Sequence, residues 1–490
     1  MKTNRLILAI VLLLFILASL GLFIRDLIWK EAPGAFKVEP YIQLGNRPSL
    51  SGPEALTLVW QADDREARWS VMLKPSPASH WQAAGEPSVR ALRFGSFPPA
   101  RLYSADLTNI PPGQSFAYRV LKDGNIVFAA RARARKNATQ PYSFAVFGDL
   151  GTGSAGQRKI AFQVHRAQPD FVVMPGDIVY KHGRLSEYLE RFFPIYNAEE
   201  ASPSSGAPLL RSVLFVAAPG NHDIGTTNYD KARDLFKFPD GMAYFFLWNQ
   251  PLNGPLQKPD AANIPQLIGS PALTAPFLSA AGANYPSMAN FSFDYGNSHW
   301  TILDGNDYMD WTDPALRAWL ENDLKASGKA VWRFVAFHQS PFSSGKTHFT
   351  EQRMRLLADI FQKWRVDIVF TGHQHNYQRT FPLRFRALPW PDGGLLSQSG
   401  EVDGVMQLDR LFDGHTRTRP NGVIYVVTGA GGAPLVGRKT QDQKFMWQPY
   451  TDKFVADTHS FTLCEVTGRR LAVRQISEDG RELDRFTMSK

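Results

Sequence analysis

The chain has 490 residues, 44% hydrophobic and 20% charged. That is the balance of a folded protein too long for one hydrophobic core, which excludes global disorder and a small disulfide scaffold. Its 54 Lys+Arg against 45 Asp+Glu give a formal charge of +9, a mild basic excess that favours anionic substrates or surfaces without demanding a nucleic-acid partner. Cys464 is the one cysteine, so an intrachain disulfide and a thiolate metal cluster are both excluded.

Residues 1–30 read as a membrane segment. Met1-Lys2-Thr3-Asn4-Arg5 is a short basic start, and the 19 residues from Leu6 to Ile24 carry no charge, a length sufficient to span a bilayer. The small residues Ala18, Ser19 and Gly21 lie inside the apolar run, which favours an uncleaved anchor over a cleaved signal peptide. Lys2 and Arg5 point to an inside amino terminus and an outside remainder, although Arg25 and Lys30 weaken the asymmetry.

Residues 36–136 read as short strands separated by Pro- and Gly-rich turns, among them Leu56 to Trp60, Trp69 to Leu73, Arg101 to Ala105 and Phe116 to Leu121. Asp123-Gly124 between two apolar runs is a hairpin signal, since a type I′ turn needs positive φ twice. A β-sandwich is expected. Arg131, Arg133 and Arg135, followed by Lys136, alternate with Ala and read as one solvated strand face entering a linker.

Residues 141–490 alternate buried strands with helices, giving an α/β or α+β unit. Tyr142 to Phe147, Phe171 to Met174, Val213 to Ala217, Trp300 to Leu303, Trp332 to Phe337, Val366 to Phe370 and Val423 to Val427 have core-strand length. Asp313-Pro314 opens a helix through Leu324, and Glu351 to Trp364 has helical spacing. Gly241 to Pro286 reads as a long surface insertion, as does Leu388 to Arg419. The aromatic residues Tyr244, Phe245, Phe246 and Trp248 in the first are expected to pack beneath it, with a lid or a membrane-resting surface as alternatives.

Chemistry gathers at the strand ends. Five core runs finish in Gly148-Asp149-Leu150-Gly151, Gly176-Asp177-Ile178-Val179-Tyr180, Gly220-Asn221-His222-Asp223, His338 and Gly372-His373-Gln374-His375. Each has a bland reading: Gly-Asp as a turn, Asn221 as a helix cap, His338 as a satisfied strand-end histidine. Five in order, each closing an apolar strand, instead deliver ligands to one sheet rim. Alternation puts both imidazoles of Gly372 to His375 on one side of an extended segment. Carboxylate, imidazole, amide and phenol suit hard or borderline ions, and there are more ligands than one tetrahedral ion needs. Asp304 and Asp307 are either extra carboxylates at that rim or part of an Asp-Gly-Asn-Asp turn, the simpler account.

The order GDxG, GDxxY, GNH, an isolated His and GHxH resembles the calcineurin-like metallophosphoesterases, and Tyr180 is the mark of the purple acid phosphatases among them. Phe291 to Gly296, Val366 to Arg379 and Gly429-Ala430-Gly431-Gly432 are similar to that family's catalytic domain. The resemblance implies an α+β chain in which a fibronectin-like β-sandwich precedes a layered αββα domain, here behind one transmembrane segment. It implies that Asp149, Asp177, Tyr180 and His375 hold a ferric ion while Asp177, Asn221, His338 and His373 hold Zn, Mn or Fe as a divalent partner. His222, Asp223 and His348 are the implied catalytic residues, with Asp223 orienting His222. Thr347 stands where plant members often have a second histidine, so substrate preference is expected to differ.

The implied reaction is hydrolysis of a small phosphate monoester by metal-generated hydroxide. The alternatives are a nucleotide or cyclic-nucleotide phosphodiesterase with a divalent pair and a non-catalytic surface-binding protein. The catalytic domain is expected at the periplasmic face of a bacterial inner membrane, with secretion as the alternative and no nucleic-acid partner.

Overall fold

The computed structural model describes residues 34–95, 97–224, 233–258 and 261–490. The Leu6–Ile24 run lies outside them. Among the described residues, no helix is long and apolar enough to cross a membrane.

The amino-terminal strands form two four-stranded antiparallel sheets. One orders Val38–Gln43, Glu54–Asp63, Ala100–Ile110 and Ser88–Leu92; the other orders Gln82–Ala83, Trp69–Lys74, Ser115–Lys122 and Asn125–Arg133. Alternating burial along Ser115–Lys122 shows one face turned inward and one outward. The inward faces meet around Trp60, Trp69 and Tyr103, with Trp60 stacked on Tyr103 at 5.4 Å between ring centroids. Asp123 and Gly124 take φ of 52° and 85° in the expected hairpin turn.

Two larger sheets follow. In the six-stranded sheet Leu214–Ala218, Phe171–Pro175 and Tyr142–Val146 run parallel, and the carboxy-terminal strands Ser460–Thr467, Arg470–Ser477 and Glu482–Ser489 add antiparallel. In the seven-stranded sheet Ser298–Ile302, Trp332–Ala336, Ile368–Thr371 and Ile424–Thr428 are parallel and adjacent. Every residue of Phe171–Pro175, Leu214–Ala218, Ile368–Thr371 and Ile424–Thr428 is buried, as strands covered on both faces require. The sheets face each other across aromatic rings: Phe144 meets Trp300 edge-on at 4.9 Å and Phe334 at 5.3 Å. The helices Ala155–Ala167 and Pro314–Ala326 are capped by Ser154 and Asp313, whose side chains accept from Gln157 and Ala315 N–H.

Four sequence expectations change. The segment Gly241 to Pro286, read as a surface insertion, holds the helix Pro271–Ala281, while its aromatic residues are buried as expected, with the Tyr244 hydroxyl 2.9 and 3.1 Å from the Ala217 and Met288 carbonyls. Leu388 to Arg419 contains the strand Gly404–Leu408, paired with Leu383–Ala387. The expected helix from Glu351 resolves into a 3-10 turn Arg353–Leu357 and a short helix Ala358–Lys363. Arg135 lies past the end of its strand and is buried, with Nε and Nη2 on Glu54 at 2.7 and 2.9 Å.

Candidate metal centre

The parallel strands of both sheets end at a shared rim. Gly148 N–H donates to the Thr428 carbonyl at 2.9 Å and Gly431 N–H to the Gly148 carbonyl at 3.1 Å, tying the two rims together. Asp149, Asp177 and His373 leave their strands with φ of 57°, 50° and 68°, a region that non-glycine residues enter at a cost of roughly 1–3 kcal/mol. The turns redirect the side chains inward. A Cβ on Gly220 would strike the Asp177 carboxylate, and one on Gly372 the Asp149 carboxylate, so both positions need glycine for close approach.

Asp149, Asp177 and His338 are buried and present ligand atoms within 4.8 Å of one another. His338 Nε2 lies 3.2 Å from Asp177 Oδ2 and 3.9 Å from Asp149 Oδ1. On one flank, Tyr180 hydroxyl is 3.2 Å from Asp149 Oδ1 and 3.1 Å from His375 Nε2. On the other, His373 Nδ1 is 3.1 Å from His338 Nε2. His222 N–H donates to Asp177 Oδ1 at 2.9 Å and holds the Gly220-Asn221-His222 loop against that carboxylate. All the expected ligands therefore share one rim.

Backbone carbonyls set the ring orientations. His338 Nδ1 donates to Pro175 O at 2.9 Å and His375 Nδ1 to Pro434 O at 2.8 Å, which leaves Nε2 of each ring facing the cluster. His373 is turned the other way: its Nε2 donates to Glu351 Oε2 at 2.9 Å and Nδ1 faces in. Glu351 also accepts from His348 Nδ1 at 2.5 Å, and the His348 ring sits 4.0 Å from that of His373, between centroids. Sequence reasoning missed Glu351, whose only signal is its place three residues after His348.

The electrostatics ask for positive charge. Burial pushes Asp149 well above the usual carboxylate range. Burial acts likewise on Asp177, but the neighbouring His338 and His222 outweigh it and hold Asp177 low. Burial opposes the charge on His338, yet Asp177 and Asp149 raise it to about 10. Burial instead lowers His373 and His375 to about 4, leaving both rings neutral. Asn221 Oδ1 is buried and has no hydrogen-bond partner among the described residues; it sits one residue before the His222 N–H that binds Asp177 and is an unmet acceptor of the kind a cation satisfies. The donor set thus fits bound metal.

His222 and His348 stand at the mouth. His222 Nδ1 bonds the Lys181 carbonyl at 2.8 Å and its Nε2 is 3.8 Å from Asp177 Oδ2. Asp223 does not meet that ring as expected. It is fully buried, and its carboxylate accepts from Gly220 N–H at 2.8 Å and Ile178 N–H at 3.1 Å, bracing two ligand loops through their backbones. Asp304 is also buried, in the turn reading: Oδ1 accepts from Asn306 N–H at 2.9 Å.

Residues 142–377 match the calcineurin-like phosphoesterase family. Over those residues the catalytic unit is similar to the calcineurin-like metallophosphoesterases. Within that family it is similar to the purple acid phosphatases. Purple acid phosphatase 23 of Arabidopsis thaliana is 27% identical over 257 residues, 49% of this chain and 48% of that one. A nucleotide pyrophosphatase/phosphodiesterase of Hordeum vulgare is 24% identical over 397 residues, 77% of this chain and 85% of the relative. The fold of a purple acid phosphatase from yellow lupin seeds superposes with a TM-score of 0.61 at 18% identity, covering 92% of this chain and 74% of that one. The chain is a metal-dependent phosphoesterase that is similar to the purple acid phosphatases.

Proposed function

We propose that this metallophosphoesterase is an acid phosphatase that hydrolyses small phosphate monoesters at a binuclear centre. Asp149, Asp177, Tyr180 and His375 would hold Fe(3+), and Asp177, Asn221, His338 and His373 a divalent Zn, Mn or Fe. The observation that carries the reading is the Asn221 amide oxygen, unpartnered among the described residues, on the loop held against the buried Asp149, Asp177 and His338 cluster. A phenol is a hard donor suited to a trivalent ion, whereas an amide and two imidazoles suit a divalent one. Bound metals would polarise the phosphoryl oxygens and acidify an attacking water.

The chain's own groups do the rest. With Nδ1–H donated to the Lys181 carbonyl, His222 faces the ester through Nε2, which in its protonated form would hold a phosphoryl oxygen or donate to the leaving oxygen. Glu351 occupies Nδ1 of His348 and leaves its Nε2 for substrate. Residues 1–30 would anchor the catalytic unit outside the cytoplasm, at the periplasmic face of a bacterial inner membrane.

A diester substrate is the second reading, favoured by similarity to the Hordeum vulgare nucleotide pyrophosphatase/phosphodiesterase and by Thr347 in place of a second histidine. The test is hydrolysis of a chromogenic phosphate monoester and its matching diester by the full chain loaded with iron plus zinc or manganese. Monoester preference, abolished in Asp177→Asn, is the expected result. Diester preference moves the substrate class, and undiminished turnover in Asp177→Asn removes the metal-centre reading. For the ferric assignment, Tyr180→Phe should lose a visible charge-transfer band; an unchanged spectrum rejects it.

A further inference from the structure

A groove of about 1000 Å³ lies at the opposite end of the seven-stranded sheet. Its floor includes Trp332, Asp367 and Val423, where the strands Trp332–Ala336, Ile368–Thr371 and Ile424–Thr428 begin. His338 and His373 follow the other ends of two of those strands, so a strand length of roughly 15 Å separates groove from metal centre.

The groove walls carry Lys363, Arg365, Arg384, Arg386, Arg419 and Arg469. Its carboxylates are already engaged: Asp367 with Lys490 Nζ at 2.8 Å and Asp359 with Arg317 at 2.7 Å. Lys363 pairs with Glu321 at 2.6 Å. Arg384 donates to the Asn421 amide oxygen at 2.7 Å and Arg469 to a main-chain oxygen of Lys490 at 3.0 Å. Arg365, Arg386 and Arg419 are exposed and have no ion-pair partner among the described residues.

Like charges lining a concave wall repel one another and raise the local concentration of a multivalent anion. Guanidinium is the cation that recognises phosphate by paired hydrogen bonds. The wall offers no ring for base stacking, because Trp332 and Phe385 are 0% and 3% exposed and Lys490 lies over the Trp332 ring at 5.1 Å. Single-stranded nucleic acid normally needs such rings, and a flat bilayer surface does not enter a groove. We propose that this groove binds a linear phosphate-rich polyanion of the inorganic polyphosphate class, through its phosphates alone and apart from the metal centre.

The test is titration of labelled short-chain inorganic polyphosphate with the full chain, wild type and Arg365→Glu/Arg386→Glu/Arg419→Glu, at several salt concentrations. The variant should bind at least about tenfold more weakly and show a shallower slope of log affinity against log salt. Its turnover of a chromogenic monoester and its thermal transition should match wild type, and the Arg→Gln triple should lose less affinity than the Glu triple. Equal affinity in wild type and both variants would overturn the proposal. So would tighter binding of a single-stranded oligonucleotide of equal charge, which would mean that bases are read. Loss of anionic-vesicle binding in the variants with polyphosphate binding intact would assign the face to a membrane instead. The readout is binding, so it stands or falls independently of the phosphatase reading.

Discussion

His299, remote from the metal centre, shows how single residues here trade charge for stability. Burial alone would lower its pKa, but the ring bonds Asp294 at 2.8 Å and Asp323 at 3.1 Å and is held up at about 9. A group raised in the folded state contributes its full stability below its unfolded value near 6.5 and loses it as pH rises through about 9. His299→Gln should therefore cost about 3 kcal/mol more near pH 6 than near pH 10, read by denaturant unfolding at both. An equal cost at both pH values would contradict the charged assignment. Asp223 acts by a different route, since its carboxylate satisfies two buried backbone donors. Asp223→Ala leaves them unmet, at about 1–3 kcal/mol each, and should lower both thermal stability and kcat. Wild-type turnover in that variant would show that the ligand loops hold without it.

At the scale of elements, the join between sandwich and catalytic sheets is built from charges on the linker. Arg135 makes a bidentate pair with Glu54, both side chains at most 2% exposed. Arg133 and Lys136 both bond Asp170, each at 2.8 Å, and Asp170 also accepts from Ser143 N–H at 2.9 Å. Breaking a buried pair strands the remaining charge, so Glu54→Gln should destabilise by about 3–5 kcal/mol. A loss below about 1 kcal/mol in a denaturant titration would contradict this. The Arg-Ala alternation pointed to a solvated face because period alone does not say where a strand stops. Asn125–Arg133 ends two residues before Arg135, which is then free to turn inward. The helix Pro271–Ala281 was equally obscure: Pro271, Pro276 and its nearly uniform apolarity hide a helical period. Asp149, Asp177, Asn221 and His373 were legible as candidates because each combines a buried strand with a glycine before the polar residue. Glu351 has neither, and only the folded chain brings it to His373.

Across the whole molecule, one aromatic and aliphatic core runs from the sandwich into both large sheets, from Trp60 and Tyr118 to Phe144 and Trp300. Polar ties cross the same boundary: Tyr118 hydroxyl to Arg211 O at 2.9 Å, Tyr41 hydroxyl to Leu247 O at 2.7 Å and Arg211 to Glu39 at 2.6 Å. Units sharing a core unfold together, so calorimetry should show one cooperative transition. Two well-separated transitions would mean that the sandwich is energetically independent. The same core fixes the two rims whose loops carry the metal-site residues. The most direct test of that arrangement is elemental analysis of the purified full chain alongside monoester turnover, for wild type and Asp177→Asn. Two metal ions per wild-type chain, with metal and turnover both lost in Asp177→Asn, is the predicted result. Full turnover by metal-free wild type, or unchanged metal content in the variant, would contradict the account.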